Sequence, residues 1–261
     1  MNPIIIMLRF NYRSRGSVGL GSLVSRLLTT KILDIECNRK DAEHFDSIHF
    51  ENLNQIKQSM FIVPDFVTED EEQNLLQEIE DVFVRKRIRY ERSHWDDAIH
   101  DYREIEHLNW SSKNQSIIER IRLNAFKTNK KHIRFVHILD VTKQGYIKPH
   151  VDSVRFCGDT IAGVSLLSDS VMRFRLEKNR EIYVDVWLTR RSLYCMRFVR
   201  LLFSFKKSLQ FPLYDRSSGD ARYLYAHEIL DERNSKFKNL TVERDRRISI
   251  ICRNEPDSKR S

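Results

Sequence analysis

The length, composition and charge of this chain exclude several classes of protein. It has 261 residues, of which 41% are hydrophobic and 31% charged, so a sizeable core is expected and global disorder is not. Its longest apolar runs, such as residues 4–8, fall far short of the roughly 20 residues of a membrane span. The formal net charge is +8, but residues 1–33 carry five basic residues and no acid, leaving 40 basic against 37 acidic residues elsewhere. That remaining excess of +3 is weak support for binding a polyanion.

Residues 1–33 have the composition of a mitochondrial transit peptide, because Arg and Ser are interleaved with Leu, Val and Ile. We therefore predict import into the mitochondrial matrix; the alternative is a basic disordered tail. Residues 34–56 are polar and aperiodic and are predicted to be a linker. A single domain is expected over residues 57–255, with 256–261 as a tail. The four cysteines form no C-x-x-C pair, which favours a reducing compartment.

The folded domain is expected to start near Met60 with a short strand, residues 61–63. A helix is predicted to follow, because Thr68 and Glu71 form a capping-box pattern with acids in the first turn. Its buried face is predicted from helical spacing and comprises Leu75, Leu76, Ile79, Val82 and Phe83. A second helix is predicted over residues 115–126. Its core-facing residues are predicted to be Ile117, Ile118, Ile121, Leu123 and Ala125.

The pattern changes after residue 132 to short β-type runs separated by turns. The runs are residues 133–139, 146–151, 161–167, 171–176, 182–188, 192–196, 223–229 and 247–252. Eight such runs predict a mainly β fold with a jelly-roll, or double-stranded β-helix, core and the two helices packed outside it.

Candidate metal ligands lie in two of these runs. Residues two apart in a strand point the same way, so His150 and Asp152 present an imidazole and a carboxylate to one face. His227, in a later run, can supply a third ligand. Two histidines and one carboxylate with open positions are the ligand set of non-haem iron(II) oxygenases. Zinc in a hydrolase and no metal at all are the alternatives, because an H-x-D pattern often arises by chance.

The last run presents two arginines on one face, since Arg247, Ser249 and Arg253 alternate with apolar residues. Two guanidinium groups inside a sheet are costly without an anion. A dicarboxylate is suitable, because a guanidinium can hold a carboxylate through two parallel hydrogen bonds. Alternatively, the basic residues from Arg244 to Arg247 form a solvated run. That interpretation suits Arg244 and Arg246 and does not suit Arg253.

These residues, in this order, resemble the iron triad and the R-x5-R pattern of the AlkB-like 2-oxoglutarate-dependent dioxygenases. Longer stretches carry the same resemblance over about residues 60–255: HWD and AIH (94–100), GYIKPHVDS (145–153), FCG and TIAG (156–163), LLS and SVMR (166–173) and HEIL (227–230). Within the family the chain is most similar to a mitochondrial branch linked to programmed necrosis and fatty-acid metabolism.

The resemblance implies that the triad holds Fe(II) and that Arg247 pairs with the distal carboxylate of 2-oxoglutarate. It also implies that Arg253 completes the co-substrate pocket and that Tyr194 contributes a hydroxyl to it. Ser249 shares a strand face with Arg247 and Arg253 and is counted with the co-substrate residues. Tyr194 is equally compatible with a core aromatic residue. The implied reaction uses O2 to convert 2-oxoglutarate to succinate and carbon dioxide. A C–H bond of the substrate is hydroxylated, or an N-methyl group is lost as formaldehyde.

The sequence leaves three classes of function open. Nucleic-acid demethylases clamp a flipped base with aromatic and basic lid segments, but residues 92–127 leave little chain for such a lid. Trp95, Tyr102 and Trp110 in this region are interpreted as core residues. A protein hydroxylase is therefore preferred, and a demethylase of N-methylated mitochondrial RNA is the alternative. The third possibility is a metal-binding scaffold with little catalysis. A monomer without a membrane span is expected.

The other histidines show no metal-ligand spacing. They are interpreted as structural (His94 and His100), as ends of a β-type run (His132 and His137) or as exposed (His44, His49 and His107).

Residues 198–217 have no counterpart in the resembling family, where residue 197 would run almost directly into residue 219. The segment is apolar and basic, which is a liability for a long surface loop. It is either a docking loop or translated non-coding sequence from a faulty gene model. The second interpretation is favoured because the flanking stretches join smoothly.

Overall fold

The computed structural model describes residues 43–46, 60–94, 96–126, 131–153, 157–176, 179–197 and 225–256. The predicted transit peptide, most of the expected linker, the segment 198–217 and the last five residues lie outside this part of the chain, as do Trp95 and His49. Neither helix in the described residues is long and apolar enough to cross a membrane.

The described residues form two helices and thirteen strands. The helices are α1 (Glu69–Lys86) and α2 (Ser112–Ala125). The strands are β1 (Phe45–Asp46), β2 (Met60–Val63), β3 (Glu91–Ser93), β4 (Ile99–His107), β5 (Val136–His150), β6 (Thr160–Leu166), β7 (Ser170–Leu176), β8 (Asn179–Leu188), β9 (Leu193–Arg197), β10 (Tyr225–Ile229), β11 (Lys236–Phe237), β12 (Leu240–Thr241) and β13 (Arg247–Arg253).

Helix α1 begins at the predicted capping box. The Oγ1 atom of Thr68 accepts a hydrogen bond from the backbone N–H of Glu71 at 3.2 Å, and the Glu71 carboxylate accepts from the N–H of Thr68 at 3.0 Å. The helix ends at Arg87, whose left-handed backbone (φ 57°) directs its N–H to the last carbonyls. The predicted apolar face is confirmed, since Leu75, Ile79, Val82 and Phe83 are buried and Leu76 is partly buried against the same core.

Helix α2 begins three residues before the predicted start and ends one residue before the predicted end. Its isoleucines and Ala125 are buried in the same core cluster as the apolar face of α1. Leu123 was assigned to that face incorrectly, because it is 78% exposed. At 3.6 residues per turn, Leu123 lies on roughly the opposite side of the helix from the buried stripe of Ile117, Ile118 and Ile121.

Eleven of the described strands form one antiparallel sheet with the order β1-β8-β7-β10-β5-β13-β6-β9-β2, and β4 pairs with both β5 and β3. Strands from the two ends of this order share one core, in which Phe45 of β1 and Met60 of β2 lie in the same cluster as Val141 of β5. A sheet whose two ends pack into one core must curl back on itself. This is the predicted jelly roll, and α1 and α2 cover its outer face.

Strand β5 is fifteen residues long and belongs to both halves of the curled sheet. It unites two of the predicted runs, residues 133–139 and 146–151, into one strand. Its first half pairs with β13, where Val141 lies opposite Arg247, and its second half pairs with β10, where His150 lies opposite His227. One strand therefore connects the segment that carries the predicted metal ligands to the segment that carries the predicted oxo-acid ligands.

Four strands (β3, β4, β11 and β12) and one part of the linker depart from the sequence prediction. The pattern predicts neither β3 nor β4, because β4 (IHDYREIEH) places charged residues on both faces. Phe45, within the expected linker, is 2% exposed and pairs with Val186 of β8. The folded part of the chain thus begins before Met60. A two-residue strand contains too few residues to show an alternating pattern.

Candidate metal and co-substrate site

The structure brings the three predicted metal ligands together. His150 is the last residue of β5, Asp152 follows it by two residues, and His227 lies on the neighbouring strand β10 directly opposite His150. The ligand atoms of the three side chains all lie within 4.8 Å of one another. The two imidazole rings have centroids 4.2 Å apart, and the Nε2 atom of His227 is 3.5 Å from the Oδ2 atom of Asp152. Within the described residues, no other group of His, Cys, Asp and Glu side chains meets this criterion.

The backbone of β5 fixes the orientation of His150. Its Nδ1 atom lies 2.9 Å from the carbonyl oxygen of Lys148, and a carbonyl can only accept, so Nδ1 carries the proton. The unprotonated Nε2 atom is then the one available to a metal. A hydrogen bond of this kind sets both the tautomer and the ring orientation of a ligand histidine.

The electrostatics of the cluster suit a divalent cation. Burial, together with the neighbouring His150, lowers the pKa of His227 to about 4, so its ring is neutral at pH 7. Burial raises the pKa of Asp152, but His227 and His150 outweigh burial and hold this pKa below its ordinary value. Two neutral imidazoles and one carboxylate are the protonation states that metal binding requires.

Arg247 is the second predicted feature, and it is almost completely buried, with 2% exposure. Its Nε atom donates to the Oγ atom of Ser165 at 2.8 Å. Its Nη2 atom and the hydroxyl of Ser249 have no hydrogen-bond partner among the described residues. Burial lowers the pKa of Arg247, and the adjacent Tyr194 opposes this effect. A buried donor without a partner is costly, and a carboxylate placed here would remove that cost.

One cavity connects the cluster to the arginine. All seven predicted site residues line it, namely His150, Asp152, Tyr194, His227, Arg247, Ser249 and Arg253. The remaining wall is mainly apolar: Ile99, Leu139, Ile147, Ile161, Met172, Met196, Ile229 and Ile251, together with His137. The alternation predicted for β13 is correct, since Ile248, Ile250 and Cys252 point into the core on the other side of the sheet.

Sequence reasoning missed the acidic partners of two residues that line this cavity, His137 and Arg253. The Nε2 atom of His137 lies 2.9 Å from the carboxylate of Glu104 on β4, and Arg253 lies 3.8 Å from Glu106 on the same strand. His94 also approaches Glu104, at 3.7 Å. The missed signal was the pair of acids at positions 104 and 106, which share one face of a strand.

Ser165 of β6, which orients Arg247, was also missed. Its signal is weaker, because a serine in an apolar run is most simply a tolerated core residue.

Three further interpretations are corrected. Arg244 is not solvated: it is buried and donates through Nη1 to the carbonyls of Gly145 and Leu230, at 2.7 and 2.6 Å. His107 and His44 are buried rather than exposed. His107 packs edge-on against the ring of Trp110, at 4.8 Å between centroids, which a polar local sequence does not indicate.

Arg246 points away from the cavity into a separate ion-pair network. Its Nη2 atom donates to the fully buried carboxylate of Asp140 at 2.7 Å and also contacts Glu80. Arg103 donates to the same Asp140 carboxylate at 2.7 Å, and Tyr90 does so at 3.0 Å. The neighbouring arginines thus serve different purposes: Arg247 is the first residue of β13, whereas Arg246, just before it, ties this segment to β5, β4 and α1.

A jelly roll whose cavity holds two histidines, one carboxylate and a buried guanidinium has the features of the 2-oxoglutarate-dependent oxygenases. No protein-family model matches the chain. It is similar over 205 residues to the alpha-ketoglutarate-dependent dioxygenase alkB homolog 7, mitochondrial, of Mus musculus (40% identical) and of Bos taurus (39% identical). Each match covers 78% of this chain and 82% of the relative. A solved structure of a Pseudomonas putida prolyl-4-hydroxylase is similar with a TM-score of 0.48 and 10% identity, over 76% of this chain and 93% of that chain.

The chain belongs to the AlkB-like family of alpha-ketoglutarate-dependent dioxygenases. It is an oxidoreductase that uses Fe(II), 2-oxoglutarate and O2, and its compartment is the mitochondrion. The His150, Asp152 and His227 cluster is compatible with Fe(II).

Proposed function

We propose that this dioxygenase hydroxylates a protein substrate, with Fe(II) held by His150, Asp152 and His227. Arg247 pairs with the distal carboxylate of 2-oxoglutarate. The observation that carries the proposal is the combination, in one cavity, of a preformed facial ligand set and a buried guanidinium with an unpaired Nη2 atom.

Each side chain in the cavity has a separate task in this proposal. The hydroxyls of Ser249 and Tyr194 supplement Arg247 at the distal carboxylate, and Arg253, at the other end of β13, completes the co-substrate pocket in the same cavity. Fe(II) held by His150, Asp152 and His227 would supply coordination sites for the oxo-acid and the activation of O2. Lys148 holds His150 in its ligand tautomer through the backbone carbonyl. The apolar walls exclude water, which strengthens the ion pair between a guanidinium and a carboxylate.

A protein substrate is favoured over RNA by the location of two aromatic residues that precede β5, Tyr102 and Trp110. A flipped base needs aromatic faces at the cavity mouth on which to stack. Tyr102 and Trp110 are only 3% and 9% exposed and lie in the core clusters, so they are not available for stacking. Outside residues 1–33 the basic excess is only +3 (40 basic minus 37 acidic residues), which gives little attraction for a phosphate backbone.

Further parts of the proposal rest on the sequence. The acid-free residues 1–33 favour the matrix as the mitochondrial location. The resemblance to the necrosis-linked branch of the family supports a role in programmed necrosis and in fatty-acid metabolism. We further propose that the enzyme acts as a monomer.

The test is turnover by the purified chain. Succinate formation from 2-oxoglutarate should require added Fe(II) and should be lost in the His150→Ala and Asp152→Ala variants. Peptide pools and N-methylated RNA are then compared as prime substrates. A +16 Da product in the peptide arm supports the proposal, whereas formaldehyde release only in the RNA arm would replace it with demethylation. Wild-type turnover by either ligand variant would reject the assigned triad.

A further inference from the structure

The inner face of β6 borders the cavity at Ile161 and lies beside two of the predicted co-substrate residues, Tyr194 and Arg247. On this face Ile161, Gly163 and Ser165 alternate toward the cavity, while Ala162 and Val164 point into the helix-covered core. Strand β6 lies between β9, which carries Tyr194, and β13, which carries Arg247. It is therefore placed to act on both predicted co-substrate residues at once.

Gly163 lies directly beneath the ring of Tyr194. The two residues are opposite each other in the β6–β9 pair, and an ideal Cβ atom built on Gly163 would overlap the hydroxyl and ring of Tyr194, with 2.7 Å to Cε1. The backbone does not require glycine here, because Gly163 is not in the left-handed region. Position 163 must lack a side chain because the phenol of Tyr194 lies against β6 there.

Ser165 constrains the side chain of Arg247 through a hydrogen bond. It is fully buried, and its Oγ atom accepts the Nε proton of Arg247. With Nε held at this point, the planar guanidinium can turn in few ways, and Nη2 is left for the cavity. A planar group fixed through one nitrogen presents its remaining donors in a set direction.

We infer that Gly163 and Ser165 are positioning residues for 2-oxoglutarate: Gly163 seats the Tyr194 hydroxyl, and Ser165 orients the Arg247 guanidinium toward the same distal carboxylate. The inference rests on the proposed function, because it requires the oxo-acid to bind at Arg247. Strand β6 thus preorganises this part of the pocket, although its own side chains need not contact the carboxylate.

The test measures the Kd of 2-oxoglutarate by calorimetry, with Mn(II) in place of Fe(II) so that no turnover occurs. Gly163→Ala should weaken binding by roughly tenfold or more, because the added methyl displaces the Tyr194 hydroxyl from hydrogen-bonding distance. Ser165→Ala should weaken it by about three- to tenfold, since Arg247 loses its fixed orientation. Neither change should alter the Kd of Mn(II), because the metal ligands lie on β5 and β10 and in the segment that follows β5.

Val164→Ala is the matched control. Val164 is the neighbour of both residues but points to the opposite face, so its truncation should lower the Tm and leave the 2-oxoglutarate Kd within about twofold. Tyr194→Leu removes the ring that a methyl group at position 163 would overlap. In that background Gly163→Ala should therefore raise the Kd of 2-oxoglutarate by less than about twofold. Should Gly163→Ala fail to fold by itself, Tyr194→Leu is expected to restore folding; a double variant that stays unfolded overturns the inference.

Other outcomes are equally decisive. Wild-type affinity in Gly163→Ala, or an equal loss with and without Tyr194→Leu, overturns the role of Gly163. If the wild-type protein with Mn(II) does not bind 2-oxoglutarate, the proposed function fails, and the inference fails with it. If the wild-type protein binds 2-oxoglutarate and both β6 variants bind it with an unchanged Kd, the inference fails and the proposed function stands.

Discussion

Arg247→Ala is the substitution with the most specific expected effect. The side chain is 2% exposed, its Nε atom is held by Ser165, and its Nη2 atom has no partner among the described residues. Its loss removes a charge-assisted, two-bonded contact to a carboxylate in a buried site. Such a contact is worth about 2 to 5 kcal/mol, and since 1.4 kcal/mol corresponds to a factor of ten, the Kd of 2-oxoglutarate should rise roughly 30-fold or more.

Calorimetry with Mn(II)-loaded protein measures this effect without turnover. Arg246→Ala is the matched control, because the adjacent side chain points to the other face and pairs with Asp140 and Glu80. The control should leave the Kd of 2-oxoglutarate unchanged. It should lower the free energy of unfolding by about 1 to 3 kcal/mol, because a buried carboxylate loses one of its partners. Equal effects of the two substitutions on the Kd would refute the β13 register and the assignment of Arg247.

Four further predictions follow from the site and the chain. His227→Ala should abolish both Mn(II) binding, measured by electron paramagnetic resonance, and succinate formation; metal binding at wild-type affinity would reject this ligand. Burial lowers the pKa of His107 in spite of Glu78, so the folded state resists protonation, and stability should fall as the pH drops below the ordinary histidine pKa of about 6.5. Urea unfolding of wild type and His107→Gln at pH 7 and pH 5.5 checks this, and equal losses in the two proteins would contradict it. Residues 1–38 fused to a fluorescent protein should direct it to mitochondria, whereas cytosolic fluorescence would count against a transit peptide. Transcript sequencing should show that the codons for residues 198–217 are absent from mature messages; their presence in every transcript, with loss of activity on deletion, would make the segment a genuine loop.

Several elements could be predicted because their signals are local. The capping box at Thr68 determines where α1 begins, and the helical spacing that follows it determines the buried face of the helix. The alternation at residues 247–253 is also local, and it correctly separates Arg247 from the core side of β13. A period of two or of 3.6 residues depends only on backbone geometry, so it can be read before the partners of a segment are known.

Other features depend on partners distant in sequence. The segment with Glu104 and Glu106 does not show a strand pattern, because the partners of these acids, His137 and Arg253, lie more than 30 residues away in the chain. Arg244 looks solvated in a basic run, but it is buried because the carbonyls of Gly145 and Leu230 accept its hydrogen bonds. The fate of a charged side chain depends on which donors and acceptors the fold places around it.

The sequence by itself determined the jelly-roll class, the order of the candidate ligands and the strand face shared by Arg247, Ser249 and Arg253. It did so because side-chain direction in a strand has a fixed period and because the ligand residues stand in characteristic patterns. Only the tertiary structure decided that His150 lies opposite His227 and that Ser165 and Gly163 lie beside Arg247 and Tyr194. It also decided that the Nη2 atom of Arg247 has no partner among the described residues. These facts depend on the register between strands distant in the chain, which is set by the packing of the whole sheet.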